Sequence, residues 1–292
     1  MFLSDYIDAV RTIPVFRYAL LVGIVSSLTF GVVGTFVVTR RIGYIAAAIA
    51  HSILGGIGAA VFFSRTLDWP WLTPMFGAVV AALGSAALIG WVSLRAQERE
   101  DTIIGAIWAS GMAIGLLFLH YAPGKAVNLE SYLFGDILLT SRSDLLITIF
   151  LGFLLLALIA LFYHKLVAVC FDEEFARLRN VSSSAYYFLL LAITAISMVL
   201  LVRIAGIILS LALLVLPAAT ASRFSRQMWM IMAIAVALTV IFNTAGLALS
   251  FSWNVPTGSF IVLFAVTIYG LSFLWPKGKA LPRLPRFWSS KE

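Results

Sequence analysis

Residues 185–224, AYYFLLLAITAISMVLLVRIAGIILSLALLVLPAATASRF, carry one charged side chain, Arg203, before Arg223 is reached. Arg203 separates two apolar runs, 185–202 and 206–222, each close to the roughly 20 residues that cross a hydrocarbon core about 30 Å thick. The second run is the shorter and contains Pro217, so it is expected either to cross or to pack inside a bundle. Working outward, similar runs fall at 18–39, 44–64, 74–94, 102–120 and 144–164 on one side, and at 228–250 and 257–275 on the other. Charges, proline or glycine-rich turns bound each of them. With 62% hydrophobic and 11% charged residues and a mean hydropathy of +1.04, a water-soluble fold is excluded, because a globule still needs a polar surface. The expectation is an all-α fold, a polytopic transmembrane helical bundle of eight or nine segments.

The connections set the orientation. With the N-terminus outside, fourteen of the 20 basic residues fall in inner connections and six in outer ones, which the positive-inside rule favours. The first basic residue is Arg11, so a basic signal-peptide n-region is not expected. Phe2, Tyr6, Val10 and Ile13 instead suit an interfacial helix leading into the first span. Residues 1–275 are read as one transmembrane domain, with an inner loop at 165–184. Residues 276–292 form a basic tail suited to an anionic inner leaflet. Cys170 is the only cysteine, which excludes an internal disulfide and a cysteine-based metal cluster. The net charge of +7 does not point to nucleic acid, since the basic residues flank spans.

Several chemistries have no support. There is no Walker A motif, no HExxH and no G-x-S-x-G elbow, so neither nucleotide hydrolysis by that route nor common membrane hydrolase chemistry is expected. Of the three histidines, His120 and His164 lie at segment ends, and His51 lies inside the second span. An ionisable residue at that depth marks a substrate path by default, and neutral imidazole ligates zinc and related metals.

Four stretches carry a resemblance: TRRIGYIAAAIAHSILGG early in the chain, NLESYLFGDILLTSRSDL in the middle, FDEEFARLRN on the inner loop, and GIILSLALLVLPAATASRF followed by VPTGSFIVL. In this order the chain resembles the permease subunits of bacterial ABC importers for zinc, manganese and iron. The resemblance implies a cobalamin-permease-like bundle in the bacterial cytoplasmic membrane that binds no cofactor itself. ATP would be used by separate ABC ATPase subunits, and an extracytoplasmic metal-binding protein would deliver the ion. A second copy, or a related permease, would complete the pathway.

The resemblance makes FDEEFARLRN a coupling helix docking on the ATPase, through Phe171, Asp172, Glu173, Glu174, Phe175 and Arg177. Residue chemistry agrees: Phe171 and Phe175 are spaced i, i+4, with acids early and basic residues late, as the helix dipole favours. Pro217 removes a backbone hydrogen bond to Leu213 and serves as a hinge or a packing kink. Glu130 and Asp136 flank an outer LESYLF segment and would attract cations at an entrance. Asp101 suits an N-cap for the fourth span, and Asn254 with Pro256 suits the start of the last.

His51 shares its helical face with Ala47, Ala48, Leu54 and Gly55, small residues that favour close packing. The resemblance implies an acid four residues before this histidine; here that residue is Ala47, and no carboxylate occurs between Asp8 and Asp68. Three readings stay open. A non-identical partner supplies the acid, His51 acts as a lone weak ligand, or the cargo is not a bare ion and His51 is structural. The rivals are a permease for a metal chelate or cobalamin-like cargo, and an intramembrane lipid-modifying enzyme.

Overall fold

A computed structural model describes residues 6, 10–95, 100–124, 132, 133, 135, 140–179 and 181–274. Among them the regular structure is helical: α1 (Pro14–Thr39), α2 (Gly43–Thr66), α3 (Pro74–Arg95), α4 (Glu100–Tyr121), α5 (Arg142–Phe171), α6 (Glu173–Leu178), α7 (Ser183–Phe224), α8 (Met228–Trp253) and α9 (Thr257–Ser272). Seven of these, all but α6 and α9, are long and apolar enough to cross a membrane, and α9 is a shorter apolar helix. The basic tail, Glu130 and Asp136 lie outside the described residues. The side carrying Arg40, Arg95, Lys165 and Arg223 is called inner below.

At 42 residues, α7 would measure about 63 Å if straight, twice the hydrocarbon thickness. It is not straight. Gly206 takes φ 72° and ψ 173°, outside helical space and open to glycine without a Cβ penalty. Contacts on either side show what the break achieves. Tyr187, near the start, lies under the Arg40 guanidinium at 5.6 Å, at the inner end of α1. Leu214, 27 residues later, sets its carbonyl against Gly34 of that same helix. A continuous helix would hold these two positions about 40 Å apart. The chain therefore turns back at Gly206, with a first arm over 183–205 and a second over 207–224. All nine apolar runs seen in the sequence form helices, and the second arm packs inside the bundle.

The packing explains the glycine-rich second span. Gly56 of α2 meets Gly77 of α3 so closely that a Cβ on either would overlap the other's carbonyl. On another side, Gly55 and Gly58 lie against Gly111 and Gly115 of α4, a G-x-x-x-G spacing that lets two backbones touch. α2 and α7 are the most enclosed spans, whereas α4 and α5 turn most of their side chains outward. Phe150, Phe153 and Leu161 of α5 stand exposed, as on a span facing hydrocarbon.

Many buried hydroxyls bond within their own helices, as Thr35 to Gly31, Thr194 to Leu190 and Thr239 to Ala235. Among the described residues, Asn243 joins two spans at depth. The Asn243 amide of α8 donates at 3.0 Å both to the Gly23 carbonyl and to the Ser27 hydroxyl of α1. Two end signals differ from the sequence expectation. Asn254 closes α8 in a left-handed conformation (φ 53°) and Pro256 caps α9, because a left-handed residue ends a helix and cannot open one. Asp101 lies within α4, one residue after Glu100, and so is not its cap.

Candidate functional site

His51 is eight residues into α2, about 12 Å from its inner end. It is 8% exposed. Its imidazole stacks on Trp108 of α4 at 4.6 Å with an interplanar angle of 16°. Tyr44, two turns earlier on the same face, packs on that indole at 5.6 Å. Ala47 lies between Tyr44 and His51 and is also buried. The His51 Nδ1 is buried with no hydrogen-bond partner. Among the described residues no group of three His, Cys, Asp or Glu side chains is placed to hold a metal ion. The face offers one imidazole and a wall of aromatic surface.

A second feature lies on the opposite side of α2. A cavity of about 520 Å³ opens between α2, α3 and the first arm of α7, walled by Ile53, Ile57, Ala78 and Val199. Thr73, Tyr132 and Arg203 also line it. Apolar walls with a guanidinium in the lining do not suit a bare cation. Burial pushes the Tyr132 phenol above the ordinary tyrosine range while Arg65 opposes the rise, so the group stays neutral near pH 7.

The outer end is tied together. Arg203 pairs with Asp144 at 2.7 Å. Asp144 also completes a capping box with Ser141: the Ser141 N–H donates to its carboxylate at 3.0 Å, and its own N–H donates to the Ser141 hydroxyl at 3.3 Å. Arg65 at the outer end of α2 donates to the Pro123 carbonyl at 3.1 Å. Gly135, with φ 66°, rests its backbone on the Ala205–Gly206 peptide at the turn of α7.

The inner end is different. Asp172 breaks helical geometry (φ −150°, ψ 98°) between α5 and α6, and its N–H still donates to the Ala168 carbonyl at 2.9 Å. α6 contains Glu173, Glu174, Phe175 and Arg177, and among its described side chains only Ala176 is buried. Phe171 is 62% exposed and Leu178 84%. Pro217 lies buried in the second arm of α7, whose break falls at Gly206. Sequence reasoning singles out His51 but not Trp108, and Pro217 but not Gly206. Trp108 gives no signal of its own because its contact is made between helices. Gly206 gives a faint one, as a glycine just past the lone charge of a long apolar run.

Against known proteins, the ABC 3 transport family matches residues 12–275. The chain belongs to the ABC 3 transport family. It is 38% identical over 261 residues to a Chlamydia muridarum protein named "Probable metal transport system membrane protein", covering 89% of each. It is 29% identical to "Manganese transport system membrane protein MntC" of Halalkalibacterium halodurans, over 99% of this chain and 96% of that one. Among solved structures it is similar to PsaBC from Streptococcus pneumoniae in complex with Fab, with a TM-score of 0.83 and 28% identity, covering 95% and 97% of the two chains. As an ABC 3 transport family member the chain is a membrane permease, a transport protein and not an enzyme. The resemblance carried by the four sequence stretches is borne out at the level of family and fold.

Proposed function

We propose that this chain is the conduit of an ATP-driven importer for divalent transition-metal ions in a bacterial cytoplasmic membrane, with manganese the first cargo to test. The observation that carries the reading is likeness along 99% of the chain to a protein named for manganese transport. Zinc and iron remain cargoes for the same test. A pair of ATPase subunits supplies energy, an extracytoplasmic metal-binding protein delivers the ion, and a second permease completes the path.

The ATPase docks at the inner knob through Phe171, Asp172, Glu173, Glu174, Phe175 and Arg177. Support comes from Phe171 and Leu178, large apolar side chains left bare at the inner end, where an exposed apolar patch marks an interaction surface. Backbone hydrogen bonds link the knob to both flanks. Asp172 continues the backbone bonding of α5, and the Val181 N–H donates to the Ala176 carbonyl at 3.0 Å just before α7. A push on α6 therefore reaches α5 and the first arm of α7 with little slack. Pro217 weakens the second arm, where one backbone hydrogen bond is absent, and serves as a flexing point. Glu130 and Asp136 draw cations toward the outer entrance. His51 acts as a weak, lone ligand in passage, which suits a conduit that must release its ion.

Proteoliposomes holding the chain with its ATPase and binding protein test this with labelled manganese, zinc and iron and with a ferric chelate. ATP-dependent uptake of a free divalent ion is expected. Uptake of the chelate with no free ion moved contradicts the reading.

A further inference from the structure

The cavity between α2, α3 and the first arm of α7 has no part in the conduit reading. Its volume, about 520 Å³, is within the range that encloses a small organic ligand. Its lining joins two kinds of residue. Thr73, Pro74 and Arg203 are exposed at the outer end, whereas Ile53, Ala78 and Val199 are buried. Ile53 lies 13 residues before Thr66, about 20 Å of helix below the outer end of α2. The space therefore reaches from the outer boundary into the depth of the bundle.

Neither water nor a metal ion suits it. Apolar walls offer water too few hydrogen bonds, and an empty space of this size forfeits packing contacts along its whole lining. A chain of methylene groups restores those contacts. Charge selects the other end of the occupant. Arg203 brings a guanidinium to the lining, and Arg65 lies near enough to act on the Tyr132 phenol, which also lines it. Arg203 pairs with Asp144 at 2.7 Å, but a guanidinium carries five N–H donors, more than one carboxylate takes up. Its side chain stays 40% exposed, so a second oxyanion can reach it.

We propose that this cavity binds a single-chain anionic amphiphile, with the apolar chain between Ile53, Ala78 and Val199 and the oxyanion on Arg203. The site stands apart from the conduit reading and does not depend on the cargo. The chain comes either from a free fatty acid or from one arm of an anionic membrane phospholipid, which share this chemistry. Once bound it touches α2, α3 and the first arm of α7 together and fixes their spacing.

Retention of labelled palmitate by the purified full-length chain in phosphatidylcholine nanodiscs, over that of empty discs, reads the site directly. Saturable binding is expected, with hexadecanol, the same chain without charge, competing about tenfold more weakly, the scale of one hydrogen bond to a charged group. Arg203→Gln is expected to weaken palmitate by about tenfold and to leave hexadecanol unchanged. Asp144→Asn breaks the same ion pair but keeps the guanidinium, and is expected to bind palmitate at least as tightly as the unaltered chain. That contrast separates anion recognition from loss of the pair. Val199→Phe puts a ring into the cavity and is expected to abolish saturable binding of both molecules. Should it fail to fold, Ala78→Leu narrows the same space and carries the same expectation. Three results overturn the proposal: no saturable binding above empty discs, binding that survives a folded cavity-filling variant, or hexadecanol held as tightly as palmitate. Phosphatidylglycerol in the discs distinguishes the sources, since displaced palmitate assigns the cavity to a phospholipid chain and undisturbed binding assigns it to a free fatty acid. Failure of metal uptake in proteoliposomes would count against the conduit reading and leave this binding result standing.

Discussion

The two ends of the bundle differ in what they leave bare beside their helix termini, the inner one exposing a short helix and its flank. At the outer end, polar groups find partners within the chain: Arg203 with Asp144, Asp144 with Ser141, Arg65 with the Pro123 carbonyl, and Gly135 against the turn at Gly206. At the inner end, α6 and its flank leave Phe171 and Leu178 bare. On the proposed reading, the difference separates self-sufficient structure from surface built for a partner. Changes at the outer end should act on stability whether or not a partner is present. Changes on the inner knob should act on association and leave stability alone.

The largest effect is expected at the turn of α7. Gly206→Val places a β-branched residue at φ 72°, a strain of about 1–3 kcal/mol, so thermal unfolding in detergent should show a greater loss of stability than any of the substitutions that follow. An unchanged midpoint would mean that the arms can fold back without this residue.

Next comes the inner knob. Phe171→Ala combined with Leu178→Ala should weaken co-purification of the ATPase by at least about tenfold, as expected for the loss of two buried anchors, while the unfolding midpoint of the isolated chain stays in place. A lowered midpoint with intact co-purification would reverse the assignment of the two ends.

A smaller effect belongs to the outer ion pair. Arg203 is 40% exposed, so solvent screens the pair, and Asp144→Asn should cost about 1 kcal/mol or less from that contact, together with part of the capping box. Raising the ionic strength should shrink the difference between the two proteins, and an equal difference at high salt would argue that the cap alone matters. Smallest for stability is His51→Ala, whose imidazole makes no Nδ1 hydrogen bond to lose. It should fold normally and still slow ion uptake. Full uptake would make the histidine a packing residue.

Much of this is legible in the chain itself. Nine apolar runs predict eight or nine helical segments, because only a helix satisfies its own backbone in lipid, and the charge bias gives an expected orientation. His51 stands out because an imidazole is costly at that depth. The inner knob is visible from its paired phenylalanines among acids. What the residue pattern cannot yield depends on contacts between helices. Periodicity is the same on both sides of Gly206, so the direction of the second arm becomes visible only when Leu214 is seen against Gly34. The Trp108 stack follows from glycines on two separate helices meeting face to face. Asn254 reads as opening a helix because Asn serves at both ends, and its left-handed dihedral settles the matter toward closing one.

The central claim is that the chain is a passive path whose movement is driven from its inner knob. Manganese accumulation in proteoliposomes, measured with the chain alone and again with the ATPase and ATP inside the reaction, tests it most directly. Accumulation against a gradient is predicted only with the ATPase present, and accumulation by the chain alone would contradict the account.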